Sequence, residues 1–128
     1  MNPPARSVVV PPRSLVVWVP DWPIVALTRD GDEPLDAALP IAVFHKGTVV
    51  ACSTAARVEG VRRGQRRRDA QARCPQLTVV DADPERDHRA FAPLIAAIEE
   101  HAPGVQVLQP GLCALRARGP ARYFGGEA

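Results

Sequence analysis

Short apolar runs separated by turn residues dominate the hydrophobic pattern of the chain. Residues 14–19, SLVVWV, form a continuous apolar run of strand length, which favours a central strand covered on both faces. Two runs at residues 41–44 and 48–52 are joined by a short polar segment and predict a β-hairpin. The remaining apolar runs of strand length are residues 77–80, 105–108 and 112–115.

Helix start and stop signals alternate with these strands. Asp21 is predicted to cap a short helix with Pro23 in its first turn. Ser53 is predicted to cap a second helix, which Gly60 ends because glycine readily adopts the left-handed conformation. A third helix is predicted over residues 65–73, with almost no apolar stripe of its own.

The fourth predicted helix begins at Pro84, behind Asp83 as its cap. It has an apolar stripe with spacings of three, four and seven residues, namely Phe91, Leu94, Ile95 and Ile98. Pro93 lies inside this pattern and predicts a kink or a break. The element order β-α-ββ-α-α-β-α-β-β predicts an α/β or α+β sheet domain with an inserted helical subdomain.

Composition narrows the class of protein. The 128 residues suit one domain or part of one, and 46% hydrophobic content argues against disorder. We find no apolar run near 18 residues and no signal-like start, so a cytoplasmic protein with no membrane contact is expected. The three cysteines, Cys52, Cys74 and Cys113, are odd in number and far apart, which predicts buried free thiols.

Positive charge is concentrated in one place. Between residues 57 and 73, seven arginines face two acidic residues, a net charge of +5, whereas the whole chain carries only +2. This concentration predicts contact with phosphate, nucleic acid or an acidic partner, with a merely solvated surface as the alternative. Lys46 is the only lysine, so arginine itself is weak support for bidentate phosphate contacts.

The residues alone predict no active site. Two-metal phosphoryl transfer requires carboxylates that converge at strand ends, and the strand ends near residues 19–22 and 112–115 offer only Asp21. Asp81 and Asp83 precede a helix, where capping is the expected role. The chain also contains no Ser/His/Asp order, no P-loop and no GxGxxG motif.

One set of short motifs is nevertheless specific in its spacing. In chain order these motifs are Val19-Pro20-Asp21-Trp22, Ser53-Thr54-Ala55-Ala56-Arg57, Gly60-Val61, Gly64, Ala70, Cys74-Pro75 and Pro110-Gly111-Leu112-Cys113-Ala114. In this set the chain resembles the N-terminal part of Y-family translesion DNA polymerases. It is most similar to the catalytically degenerate ImuB-type members of actinobacterial mutagenesis cassettes. The resemblance covers about residues 15–124.

The resemblance implies a polymerase-like palm sheet with a small inserted helical fingers subdomain. The resemblance implies a first palm strand over residues 14–20, fingers over 21–76, and an incomplete palm remainder over 77–128. Before these, two proline pairs that bracket residues 8–10 predict a flexible tail over residues 1–13, or an edge strand at most. An incomplete palm would leave a sheet edge open, which favours low stability or self-association.

Departures from the family pattern imply that the chemistry is lost. The first metal aspartate of the family falls on Pro20, or on Asp21 if the register shifts by one. The family's Asp-Glu metal pair falls on Cys113 and Ala114, which do not suit magnesium. The resemblance therefore implies no catalytic residue, no metal site and no cofactor.

The same comparison assigns roles to the basic stretch. Arg57 and Thr54 fall on positions that contact the nucleotide triphosphate in the family. The other six arginines of the stretch are interpreted as a surface for DNA contact, or alternatively for an acidic partner, and they are Arg62, Arg63, Arg66, Arg67, Arg68 and Arg73.

The function implied by the resemblance is that of an adaptor in DNA-damage-induced mutagenesis, with weak DNA contact and a nucleoid-associated location. In the family, the partners of such an adaptor are the sliding clamp, a RecA-like accessory protein and an error-prone DNA polymerase. The alternatives are a protein-interaction scaffold with no DNA binding of its own, and an active translesion polymerase.

Overall fold

The computed structural model describes residues 14–102 and 104–116, so the tail predicted for residues 1–13 lies outside the described part. The elements follow the predicted order. They are β1 (Ser14–Trp18), α1 (Trp22–Arg29), β2 (Ile41–His45), β3 (Thr48–Cys52), α2 (Thr54–Val58), α3 (Arg67–Arg73), β4 (Thr78–Asp81), α4 (Pro84–Glu99), β5 (Gln106–Gln109) and β6 (Leu112–Arg116).

Residues Pro20–Phe91 form one compact unit, called here the hairpin unit. Its sheet has the order β3-β2-β4, in which β2 pairs antiparallel with β3 and parallel with β4. Antiparallel pairing follows from the two-residue turn between β2 and β3, whereas the parallel pair is connected through the helical segment that contains α2 and α3.

Both faces of the central strand β2 are covered, which is why its residues 41–44 are continuously apolar. Ile41 and Val43 pack on one face with Ile24 of α1 and Ala51 of β3. The opposite face forms a second cluster with residues of the helical segment, namely Ala42, Phe44, Val49, Cys52, Ala56, Val61, Ala70, Cys74 and Leu77. The result is a three-layer helix–sheet–helix arrangement.

Trp22 anchors the start of α1 to the first half of α4. Its indole Nε1 donates to the carbonyl oxygen of Asp87 at 2.9 Å, and its ring meets that of Phe91 edge-on at a centroid distance of 5.0 Å. Both rings are buried.

The second unit, called here the edge unit, comprises the described residues of 14–19 and 92–116. Its sheet has the order β1-β6-β5, and both pairings are antiparallel. The prediction of a central, doubly covered strand at residues 14–19 was wrong. Among the described residues β1 is an edge strand, and Leu15, Val16 and Trp18 are 55%, 51% and 62% exposed.

Two of the three predicted helix caps are confirmed. Ser53 caps α2 as predicted, since its Oγ accepts from the amide of Ala56. Asp83 caps the start of α4, where its Oδ1 accepts from the amide of Arg86 at 3.1 Å. The break predicted at Pro93 does not occur, since α4 runs through it to Glu99, whereas the predicted kink stays a prediction.

The mixed α/β class predicted from the element order is confirmed. The predicted boundary between fingers and palm after residue 76 stays a prediction, because it divides the subdomains of the family and not the contact-based units of this structure. The contacts themselves group β4 with β2 across that boundary.

Candidate functional site

Asp21 lies directly after the first strand, in an unusual backbone conformation. Its φ of 52° and ψ of 42° are left-handed, and its side chain makes no capping hydrogen bond to α1, so the predicted capping role was wrong. The backbone carbonyl of Asp21 instead accepts from the amide of Ile24 at 2.9 Å. The carboxylate is thereby left available for contacts outside α1.

The carboxylate of Asp21 is held by the segment that connects β3 to α2. Its Oδ1 accepts from the amide of Cys52 at 3.3 Å, and its Oδ2 accepts from Nη1 of Arg57 at 2.7 Å. The ion pair is partly shielded, with side-chain exposures of 17% for Asp21 and 41% for Arg57. A pair of this kind contributes roughly 1 kcal/mol or less because solvent screens it.

Arg57 makes further contacts within the protein. Its Nη1 also donates to the carbonyl of Cys52 at 2.8 Å, and its Nη2 donates to Oγ1 of Thr54 at 3.2 Å. The cap at Ser53 begins α2 at Thr54, which places Arg57 one turn into the helix. The structure therefore brings Asp21, Thr54 and Arg57 together, and we call this group the Asp21–Arg57 cluster.

Cys113 and Ala114 lie on β6, the central strand of the edge unit. Cys113 is opposite Val17 on β1 and Val107 on β5. Both Cys113 and Ala114 are buried, and burial raises the pKa of the Cys113 thiol. Neither side chain offers a hard oxygen ligand. The remaining degenerate position, Pro20, is exposed.

All three cysteines are free and buried, as predicted. Burial is the largest cause that raises the pKa of Cys52, and the nearby Asp21 carboxylate raises it further. Neutral, buried thiols are poor nucleophiles and poor metal ligands. Among residues 14–102 and 104–116, no group of three or more His, Cys, Asp or Glu could hold a metal ion.

Five of the six arginines assigned to DNA contact form an exposed set that we call the arginine face. Its members are Arg63, Arg66, Arg67, Arg68 and Arg73. Within the described part of the chain, their side chains have no hydrogen bond and no ion pair. These cations are therefore available to an external anion.

Arg62 differs from the arginine face. Its Nη1 donates to the carbonyls of Arg57 and Val61 at 2.8 and 2.9 Å. These bonds tie it to the end of α2, so its guanidinium is partly committed to the local fold. No signal in the sequence separates Arg62 from its neighbours.

Gln65 organises the loop that carries the arginines and had no predicted role. Its Oε1 accepts from the amide of Arg62 at 2.9 Å, and its Nε2 donates to the carbonyl of Gly60 at 3.1 Å. Its own carbonyl accepts from Val49 of β3 at 2.9 Å. The sequence signal for this role was the position of Gln65, a polar residue between Gly64 and a run of arginines.

Comparison with known proteins bears on the fold and the family. A solved structure described as "Dbh Ternary Complex (substrates partially disordered)" matches with a TM-score of 0.66 and 16% sequence identity. The match covers 85% of this chain but 32% of that chain, so this chain spans about a third of its length. At this identity the likeness shows the fold alone, and it confirms the predicted Y-family-like fold class.

No curated protein matches the chain. In the described part of the chain, no helix is long and apolar enough to cross a membrane.

The family model described as "impB/mucB/samB family" matches residues 25–128, which is most of the sequence. The chain therefore belongs to the impB/mucB/samB family of Y-family polymerase domains.

Proposed function

We propose that this chain is a non-catalytic, polymerase-like component of a translesion synthesis and mutagenesis system induced by DNA damage. In this proposal it is of the ImuB type found in actinobacteria, acts as a nucleoid-associated adaptor, and contacts DNA weakly through the arginine face. Its partners would be a sliding clamp, a RecA-like accessory protein and an error-prone polymerase. Membership of the family supports the polymerase-related part.

The non-catalytic part of the proposal is supported by the ion pair between Asp21 and Arg57. Its carboxylate is the remaining candidate metal ligand of the family pattern, and it is paired with Arg57 at 2.7 Å. Arg57 is in turn the candidate triphosphate contact. Because the two groups neutralise each other, a metal ion would compete with a guanidinium for Asp21, and a phosphate would compete with a carboxylate for Arg57.

Metal binding tests this part without requiring a complete polymerase. Mn²⁺ is titrated into the full chain and followed by water-proton relaxation, with Asp21→Asn as the matched neutral variant. We expect no saturable Mn²⁺ binding in either protein. We also expect no template-dependent primer extension with Mg²⁺ or Mn²⁺. Saturable binding or extension that is lost in Asp21→Asn would favour an active translesion polymerase instead.

The arginine face supports the DNA-contact part. Its five cations are exposed and lack internal partners in the described residues, so they can neutralise phosphates and release the associated counterions. Contacts of this kind read no base sequence. The expected binding is therefore weak, independent of sequence and strongly dependent on salt.

A salt titration with primer–template DNA tests the DNA contact. Replacing Arg66, Arg67 and Arg68 with Ala should lower the log–log salt slope by roughly 2.7, since each lost phosphate contact contributes about 0.9 on duplex. The matched control is Arg62→Ala, which removes an arginine that is partly committed to carbonyl groups and should change the slope less. An unchanged affinity and slope in the triple variant would exclude the arginine face as the contact.

A second candidate function is a protein-interaction scaffold with no DNA binding. The exposed apolar side chains of β1, namely Leu15, Val16 and Trp18, favour this alternative, because exposed apolar clusters are typical of protein contacts. Titration with DNA at low salt separates the two candidates. An absence of binding there would favour the scaffold.

A further inference from the structure

The turn of the β2–β3 hairpin has an unusual residue at its first position. The loop consists of Lys46 and Gly47, with φ values of 52° and 78°, as in a type I′ turn, where Asn-Gly is strongly preferred. Positive φ is unfavourable for a residue with a long side chain. In the described part of the chain, Asp21 is the other non-glycine residue with positive φ, and its side chain is held by Cys52 and Arg57.

No side-chain contact in the described part of the chain holds Lys46 in its positive-φ conformation as Cys52 and Arg57 hold Asp21. It is exposed, and its side chain has no hydrogen bond or ion pair within residues 14–102 and 104–116. An asparagine at this position would make the same turn with less strain. The two-residue turn requires a positive φ at this position but does not require a lysine, so the choice of an exposed cation here points to a role outside the folded chain.

Backbone hydrogen bonds fix this turn beside the arginine face. The amide of Arg67 donates to the carbonyl of Gly47 at 3.1 Å, and Thr48 forms an antiparallel bridge with Arg66. The only lysine of the chain is therefore adjacent to two exposed arginines. A polyanion that binds here would meet several cations at once and release its counterions.

We propose that Lys46 is a phosphate-contacting residue, and that the hairpin turn and the arginine face form one continuous binding surface for the DNA backbone. The inference rests on the proposed DNA contact and adds a second structural element to it. Lys46 supplies a compact charge on a flexible stem, and the backbone of its turn is bonded to the segment that carries Arg66 and Arg67.

The decisive variant is Lys46→Asn, which removes the charge and suits the turn. At about 0.1 M salt we expect its Kd for a short duplex to rise roughly eightfold, and the salt slope to fall by about 0.9, as for one lost phosphate contact. The midpoint of thermal unfolding should stay the same or rise. Lys46→Gly should behave in the same way, whereas Lys46→Arg should keep most of the affinity.

Arg89→Gln is the matched control for net charge. Arg89 is also exposed, but it lines a separate cavity together with Asp30, Asp32 and Glu33. Its replacement removes one positive charge outside the proposed surface, so we expect less than a twofold change in Kd. An effect as large as that of Lys46→Asn would reduce the role of Lys46 to bulk charge and overturn the proposal.

Two further outcomes overturn the proposal and separate it from the proposed function. If Lys46→Asn and Lys46→Gly bind as the unmodified chain does, while Arg66, Arg67 and Arg68→Ala loses binding, the inference about Lys46 fails and the DNA contact stands. If the unmodified chain does not bind DNA at low salt, both fail.

Discussion

In the hairpin unit, strand β2 is buried from Ile41 to Phe44, whereas in the edge unit strand β1 leaves Leu15, Val16 and Trp18 exposed. The two segments read alike in sequence, since both are continuous apolar runs. The difference is in what covers them. Apolar side chains of the helices and loops cover both faces of β2, while no described residue covers these three side chains of β1 to the same extent. An apolar run therefore predicts a strand but not the position of that strand in its sheet.

The largest expected contrast between the units comes from truncating one side chain in each. Phe44→Ala empties a site in the buried cluster of the hairpin unit and should lower the free energy of unfolding by about 3–5 kcal/mol. Leu15→Ala, at an exposed position of the edge unit, should change it by no more than about 0.5 kcal/mol. Chemical denaturation measures both. A large loss for Leu15→Ala would mean that β1 is covered in solution.

Ser53 tests how strongly the hairpin unit depends on one polar group. Its buried hydroxyl accepts from the amides of Ile41 and Ala56 and donates to the carbonyl of Leu39. Ser53→Ala leaves these groups without that partner and should cost about 1–3 kcal/mol of stability. The control is Thr54→Ala at the next, exposed position, with an expected loss below about 1 kcal/mol.

The Asp21–Arg57 cluster should show a measurable but modest coupling. A double-mutant cycle with Asp21→Ala and Arg57→Ala should give a coupling free energy of about 1 kcal/mol, because the pair is partly exposed. The coupling should weaken in 1 M salt, where screening is strong. Full additivity of the two changes would show that the ion pair does not stabilise the start of α1.

Strand β1, the edge strand among the described residues, should show the smallest effect on stability but a clear effect on association. Leu15→Lys places a charge on an exposed edge strand, which protein sheets commonly use to prevent edge-to-edge pairing. We expect any concentration-dependent self-association, measured by sedimentation velocity, to decrease in this variant. If the unmodified chain is strictly monomeric at all concentrations, the exposed strand does not drive association.

The sequence predicted the order of all described elements, because alternation, prolines and glycines are local signals. Arg57 and Thr54, which the resemblance assigned to the nucleotide contact, are one helical turn apart, and Nη2 of Arg57 donates to Oγ1 of Thr54. The hydrogen bond from Arg57 to Asp21 joins residues 36 positions apart, and no local pattern encodes such a contact. The left-handed conformation of Asp21 was equally unpredictable, because aspartate usually adopts it only where surrounding contacts allow it.

The same limit explains the arginines. Sequence reasoning grouped six of them by charge, but Arg62 separates from the others through hydrogen bonds to carbonyl groups of Arg57 and Val61. The partners of Arg62 depend on where the loop between α2 and α3 lies against β3. Backbone hydrogen bonds of Val49 with Gly64 and Gln65 fix that position. The positive charge of the stretch was predictable from the sequence. Which guanidinium groups are free of internal hydrogen bonds was not.

The two tryptophans are divided between the two units, and this gives the protein a native optical probe for each. Trp18 is 62% exposed in the edge unit, so its fluorescence should emit at long wavelength and be quenched readily by iodide. Trp22 is 7% exposed and hydrogen-bonded in the hairpin unit, so its emission should be shifted to the blue and protected from the quencher. Single replacements with Phe would therefore let the melting of each unit be followed without any attached dye.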